Sequence, residues 1–175
     1  MKLPEQTVPA AGGPFTKNGW IAPLVAAASA FAVASLGGAL TDLGPWYLAL
    51  EKPWWQPPGV AFPIMWTLIF TLTAIAGVLA WRAAETFAAR RALIGLFGVN
   101  SVLNVAWSGL FFTLQRPDWA LVEAVALWAS ILALILFIRR LHRGAAGLLL
   151  PYILWVSIAV ALNFEVARLN GYLPV

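Results

Sequence analysis

Cysteine is absent from the chain, histidine occurs once, and Asp, Glu, Lys and Arg together make up only 10% of its 175 residues. The first absence removes disulfides, thiolate metal sites and cysteine nucleophiles. The single histidine, His142, lies in a basic turn and has no second imidazole with which to build a metal site or a hydrolytic couple. So small a charged fraction, set against 62% hydrophobic residues, excludes a soluble globular domain. Signatures for phosphate cradling (P-loop, GxGxxG) and for hydrolysis (HExxH, Gx-Ser-xG) are missing, as is any internal repeat of about 20–50 residues.

What the chain does have is long apolar runs. Uncharged stretches cover Asn18 to Leu40, Pro53 to Trp81, Ala92 to Gln115 and Gly144 to Phe164, and a further one, Trp119 to Ile138, is broken only by Glu123. Each reaches the roughly 20 residues that a spanning helix needs. The expectation is an all-α membrane protein, a bundle of five transmembrane helices at about 19–41, 61–81, 92–114, 119–139 and 145–169. Residues 1–18 are read as a disordered tail and 19–170 as the membrane domain, since the first apolar run is too long for a signal-peptide core.

Between the first two spans lies a proline-punctuated aromatic segment, Trp46 to Gly59. Pro45, Pro53, Pro57 and Pro58 remove backbone donors and oppose a regular helix, while Trp46, Tyr47, Trp54 and Trp55 suit a membrane–water boundary. This reads as a structured lid. Ordering it costs about 1 kcal/mol per residue, and burial of three of its indoles offsets a cost of that order, so a ligand touching those rings would decide whether it closes.

Along the first span Ala22, Ala26, Ala30, Ala34 and Gly38 recur every fourth residue, a small-residue ridge suited to close approach of another helix. On the third, Asn100, Asn104 and Trp107 share one stripe, which should face the bundle interior, as helix–helix glue or as ligand contacts. Asp118 is placed to cap the fourth helix, and Glu123, just over a turn inside it, is a candidate functional carboxylate or an interfacial, solvated one. On the fifth, Trp155, Ala159 and Asn163 line up at i, i+4 and i+8. Phe70, Asn104 and Trp155 all fall near mid-membrane at about 1.5 Å per residue, so indoles on separate helices can wall one slot suited to a flat macrocycle.

The lid pattern W-Y-x-x-L-x-K-P-x-W-x-P-P at Trp46 to Pro58 closely resembles the first loop of the TspO/translocator protein family, the tryptophan-rich sensory or peripheral-type benzodiazepine receptor-like proteins. Phe62-Pro-Ile-Met-Trp66, Asn104-Val-Ala-Trp-Ser108 with Phe111-Phe112, Pro151-Tyr-Ile-Leu-Trp155 and Leu162 to Asn170 match in order. The resemblance implies a compact five-helix bundle, often a homodimer, that binds porphyrins such as protoporphyrin IX and also sterols. Its ligand cavity would be lined by Tyr47, Trp66, Phe70, Asn104, Trp107, Trp155 and Ala159, with Glu123 near a family acidic position; the lid reading adds Trp46 and Trp54 as ligand contacts. The family's sterol segment maps onto Leu162, Phe164 and Arg168, with Phe164 in place of the expected Tyr. The implied function is that of a tetrapyrrole-binding sensory or regulatory protein. The alternatives are an enzyme using Trp66 and Trp155 as redox-active rings in light- or oxygen-dependent porphyrin breakdown, and a porphyrin transporter, against which stands the lack of repeated halves. Neither a cofactor nor a metal is expected, and His142 and Met65 offer no haem ligation.

The partners expected are the bilayer and a second copy rather than nucleic acid, because the net charge of +4 comes from residues beside the spans. Lys2, Lys17, Arg82, Arg90, Arg91, Arg139, Arg140 and Arg143 lie on the N-terminal side and Lys52, Arg116 and Arg168 on the other, eight against three. That bias predicts a bacterial integral membrane protein with its N-terminus cytoplasmic and its lid outside. A single Cys placed at Gln56 should react with an impermeant maleimide on intact cells; reaction only after lysis would invert the orientation.

Overall fold

The computed structural model describes residues 19–173; the expected N-terminal tail, residues 1–18, lies outside them. Its helices are α1 (Ile21–Leu40), α2 (Pro45–Ala49), α3 (Ala61–Ala83), α4 (Phe87–Ser108, continued by a π-helical turn over Gly109–Thr113), α5 (Pro117–Leu141), α6 (Arg143–Gly147) and α7 (Leu150–Leu169). Five helical segments are long and apolar enough to cross a membrane, the fifth being α6 and α7 together. No strand occurs among the described residues, so the chain is an all-helical integral membrane protein.

Several boundaries differ from expectation. The third span begins at Phe87, not near 92, because the Thr86 hydroxyl caps it, accepting from Ala89 N at 3.1 Å. Arg90 and Arg91, outside the span expected to begin near 92, are carried within the helix with their guanidiniums laid over the Trp81 and Phe87 rings, 5.0 and 5.8 Å from the centroids. Asp118 does not cap the fourth span. Arg116 holds the cap position, Pro117 fits the first turn where its missing N–H is no loss, and Asp118 accepts from Arg116 Nε at 2.8 Å. The last span is broken at residues 148–149, just ahead of Pro151, whose ring cannot supply an N–H to continue the ladder. The lid prolines do not exclude a helix: Pro45 starts the short α2.

The bundle is closed tightly at one end and held apart in the middle. Away from the lid, Ala76 and Ala80 of α3 and Ala84 just past its end pack with Leu134 and Ile138 of α5 and with Ala145 and Ala146 of α6, where methyl side chains let backbones approach closely. Nearer the lid, α3 packs on α1 and meets α7 through aromatic side chains, Phe62 against Trp155 and Trp66 against Tyr152. Mid-bundle, Ile69, Leu127, Ile131, Tyr152, Trp155 and Val156 make the buried core, and Leu50, Phe111, Ala120 and Val166 seal the lid end.

The lid is tied to the end of α7. Gly171, at φ 72°, ends that helix with Tyr172 N donating to Ala167 O (2.9 Å) and Gly171 N to Arg168 O (3.3 Å), a reversal that needs a positive φ. Tyr172 is thereby turned back to the lid, where its hydroxyl accepts from Trp46 Nε1 at 3.3 Å. Asn170 clasps Glu51 twice, accepting from its N–H and donating to its C=O, both at 2.9 Å. Lys52 Nζ donates to Tyr47 O at 2.7 Å and sits 4.5 Å from the Tyr47 ring centroid. One expectation fails here: Trp54 is 95% exposed, so its indole adds nothing to holding the lid shut.

Asn170→Ala removes both clasp bonds from the lid while leaving the spans in place. Hydrogen exchange at the Glu51 amide should quicken by roughly tenfold, the equivalent of one or two net hydrogen bonds, with exchange in α5 unchanged. An unchanged rate at Glu51 would show that the clasp does not hold the lid.

Candidate functional site

The space left between α3 and its neighbours is a cavity of about 1250 Å³, larger than the roughly 300–1,000 Å³ usual for ligand pockets. It runs from Tyr47 in the lid to Arg82 at the far end of α3. One wall is the small-residue ridge of α1. Ala26, Ala30, Ala34 and Gly38 line the cavity, and a Cβ built on Gly38 would meet nothing within 4 Å, so within a single copy this part of the ridge borders space. On the flank between α1 and α3, Phe31, Ala34, Thr71 and Ile75 both line the cavity and are exposed, so it opens sideways there.

Aromatic rings make the opposite walls. Trp66 and Phe70 share one face of α3 and stack, with centroids 5.4 Å apart and planes 25° from parallel. Trp66 meets Tyr152 edge-on at 6.2 Å, and Trp155 meets Phe62 edge-on at 5.5 Å. Trp107 stacks on Phe111 at 5.2 Å and meets Phe112 edge-on at 5.9 Å. The π-helical turn places that pair: Leu114 N donates back to Gly109 O and Arg116 N to Leu110 O, and Gln115, at φ 51°, reverses the chain towards α5.

A hydrogen-bonded chain holds these walls in register. Asn104 Nδ2 donates to the Tyr152 hydroxyl (2.9 Å), the hydroxyl to Asn100 Oδ1 (3.3 Å), Asn100 Nδ2 to Ser130 Oγ (2.9 Å), and Ser130 Oγ to Leu127 O (2.7 Å). Separately, Asn163 Oδ1 accepts from Trp107 Nε1 at 3.1 Å and its Nδ2 donates to Pro117 O at 2.8 Å. Asn100 therefore acts as helix–helix glue, whereas Asn104 is glue and cavity wall together. At the lid, burial raises the pKa of the Tyr47 hydroxyl against the opposing effect of its bond with the Gln56 side chain, which keeps the phenol neutral.

Of the residues proposed from sequence, Tyr47, Trp66, Phe70, Asn104, Trp107, Trp155 and Ala159 all line this one cavity. Trp46, Trp54 and Glu123 do not. Trp46 packs edge-on against Phe111 at 5.8 Å, and Trp54 points away. Glu123 lies beside Ala124, which does line the cavity; both its carboxyl oxygens are buried and unpaired among the described residues, so it is not the solvated interfacial group that was one reading of it. The segment Leu162, Phe164 and Arg168 is off the cavity too, with Phe164 and Arg168 exposed and Arg168 Nη2 bonded to Glu165 at 2.8 Å. Tyr152, Asn163 and Phe62 were missed as site residues. Tyr152 lies three residues before Trp155 and Asn163 eight after it, so helical spacing marked both.

The chain matches the TspO/MBR family over residues 24–169. It is 40% identical over 129 residues to the tryptophan-rich protein TspO of Chlorobaculum tepidum, covering 71% of this chain and 79% of that protein. With the tryptophan-rich sensory protein of Cereibacter sphaeroides it shares 34% identity over 137 residues, 78% of this chain and 84% of the other. The pig (Sus scrofa) translocator protein is 32% identical over 145 residues, 79% of this chain and 86% of its own. Together with the five spans and the aromatic cavity, these likenesses show that the chain belongs to the TspO/MBR family.

Proposed function

We propose that the protein is a membrane sensor that binds a porphyrin-type tetrapyrrole in the cavity between α1, α3, α4 and α7, with the lid outside and the N-terminus cytoplasmic. The observation that carries this reading is the pairing of flat aromatic walls with a wall of methyls and glycines. Trp66 with Phe70, and Trp107, offer faces on which a planar macrocycle stacks. The small residues of α1 leave the slot open to its full depth. Among the polar groups of the lining, Asn104 is held at mid-depth by its bond to Tyr152, Tyr47 lies at the lid, and Arg82 at the far rim offers a cation to an anionic substituent. The lid closes over the same space through Tyr47, so occupancy of the cavity and the state of the lid are coupled, as a sensor requires.

Ala159 tests the assignment. Its methyl lines the cavity one turn beyond Trp155, and Ala159→Leu adds three carbons to the space a macrocycle edge would take. Quenching of tryptophan fluorescence by protoporphyrin IX should show affinity at least about tenfold weaker, while the apo melting temperature holds, because the side chain enters a void. A lowered melt with unchanged affinity would return Ala159 to the packed core and remove the reading. Loss of porphyrin absorbance in light at substoichiometric protein would replace sensing by turnover.

The lid supplies a second test. Tyr47→Ala should weaken porphyrin binding by about five- to a hundredfold, the effect of losing contacts worth roughly 1–3 kcal/mol, whereas Trp54→Ala should leave it unchanged. The reverse order would show that the ligand meets the lid on its outer side.

A further inference from the structure

At the end of α5 remote from the lid, Leu136, Arg139, Arg140 and Arg143 line a basin of about 450 Å³, separate from the aromatic cavity. The first three follow helical spacing on α5, and the extended backbone of His142 (φ −155°, ψ 103°) starts α6 so that Arg143 returns to the same face. The orientation bias of cationic residues accounts for positive charge on this side of the bundle, yet it does not account for what these guanidiniums leave unused. The other cations of the spans and lid, Arg82 apart, are engaged by the protein. Lys52 bonds to Tyr47 O, Arg90 to Ala84 O, Arg116 to Asp118 and Arg168 to Glu165, while Arg91 lies over the Phe87 ring. Arg139, Arg140 and Arg143 have no carboxylate, carbonyl or ring partner among the described residues and are all exposed.

Three unneutralised guanidiniums on one face meet a definite chemistry: a phosphate, which each can grip through paired N–H donors. What lies below them says which kind of phosphate. Leu136, Ala133, Ala129, Val125 and Val122 form an exposed apolar stripe that descends α5 from the basin through mid-membrane, with the small side chains Ala133 and Ala129 in the half next to the basin. We infer that this face is a binding site for an anionic phospholipid of the leaflet on the side away from the lid, its phosphodiester held by Arg139, Arg140 and Arg143 and one acyl chain laid along the stripe. A second copy is disfavoured as the occupant, since an isologous contact through this face would bring two arginine triads to the same depth across the two-fold axis.

The test uses the purified full chain and native mass spectrometry, with phosphatidylglycerol and phosphatidylcholine of matched chains as probes. Phosphatidylglycerol should be retained at least tenfold over phosphatidylcholine. Arg139→Gln, Arg140→Gln and Arg143→Gln should each weaken retention by about fivefold, as expected for one cation near an anionic headgroup; the single variants keep the result readable should the triple variant fold poorly. Arg91→Gln removes the same charge from the same side and should have no effect. Equal retention of the two lipids, or equal loss in Arg91→Gln and Arg140→Gln, would overturn the site. Displacement of phosphatidylglycerol by soluble glycerol phosphate at equal concentration would make it a free-anion site and sink the lipid assignment. Disulfide cross-linking of two copies through Ala129→Cys in place of lipid retention would give the face to a second copy instead.

Discussion

In hydrocarbon a polar side chain without a partner is costly, and here that constraint decides which helix faces meet. Asn163 is the clearest case: one amide takes the Trp107 indole proton and gives its own to Pro117 O, joining α4, α5 and α7 at a single buried point. Tyr152 does the same one level deeper, through Asn104 and Asn100 to Ser130. In the arrangement that satisfies these amides, the aromatic rings attached to the same helices are held at set angles. Apolar packing alone, with little to distinguish one side chain from surrounding lipid, would leave those rings free to turn.

The polar tethering of α4, α5 and α7 to one another helps explain why the gap beside α3 does not collapse. Its alanines are consumed at one end, where Ala76 and Ala80, with Ala84 just past the helix, meet α5 and α6 at close range. At the other end the lid is braced by Asn170 and Tyr172. Between these two ends α3 rests on α5 and α7 through Ile69, Trp66 and Phe62, and the cavity lies beside those contacts. Two α3 hydroxyls are satisfied within the helix, Thr67 and Thr71 returning theirs to Pro63 O and Thr67 O at 2.8 Å, whereas the buried Thr73 hydroxyl has no partner among the described residues.

Much of this was legible in the sequence, for identifiable reasons. The five spans follow from the length of uncharged runs, and the aromatic cavity from rings at helical spacing. Helix ends were less legible, since Arg90 and Arg91 can lie inside a helix by laying their charges over Trp81 and Phe87, whereas a count of charges places them outside the span. The α1 ridge shows a deeper limit. A column of methyls looks the same in sequence whether a neighbouring backbone fills the space above it or nothing does, and within a single copy the position of α3 decides. Trp54 and Trp46 likewise read as equal partners in the lid, but one is turned outward and the other is pinned by Tyr172 and Phe111. Glu123 was visible as an anomaly, and the fold buries it without giving its carboxyl a partner among the described residues.

The opening between α1 and α3, where Phe31 and Ile75 border the cavity and the outside together, bears on how any ligand is counted. A hydrophobic molecule that enters by this flank comes from the bilayer and not from water. Occupancy is then set by its mole fraction in the membrane, and adding lipid at constant total ligand dilutes it as surely as adding buffer dilutes a soluble one. Affinities for such a site scale with the lipid-to-protein ratio of the preparation, and two preparations agree only when expressed per lipid.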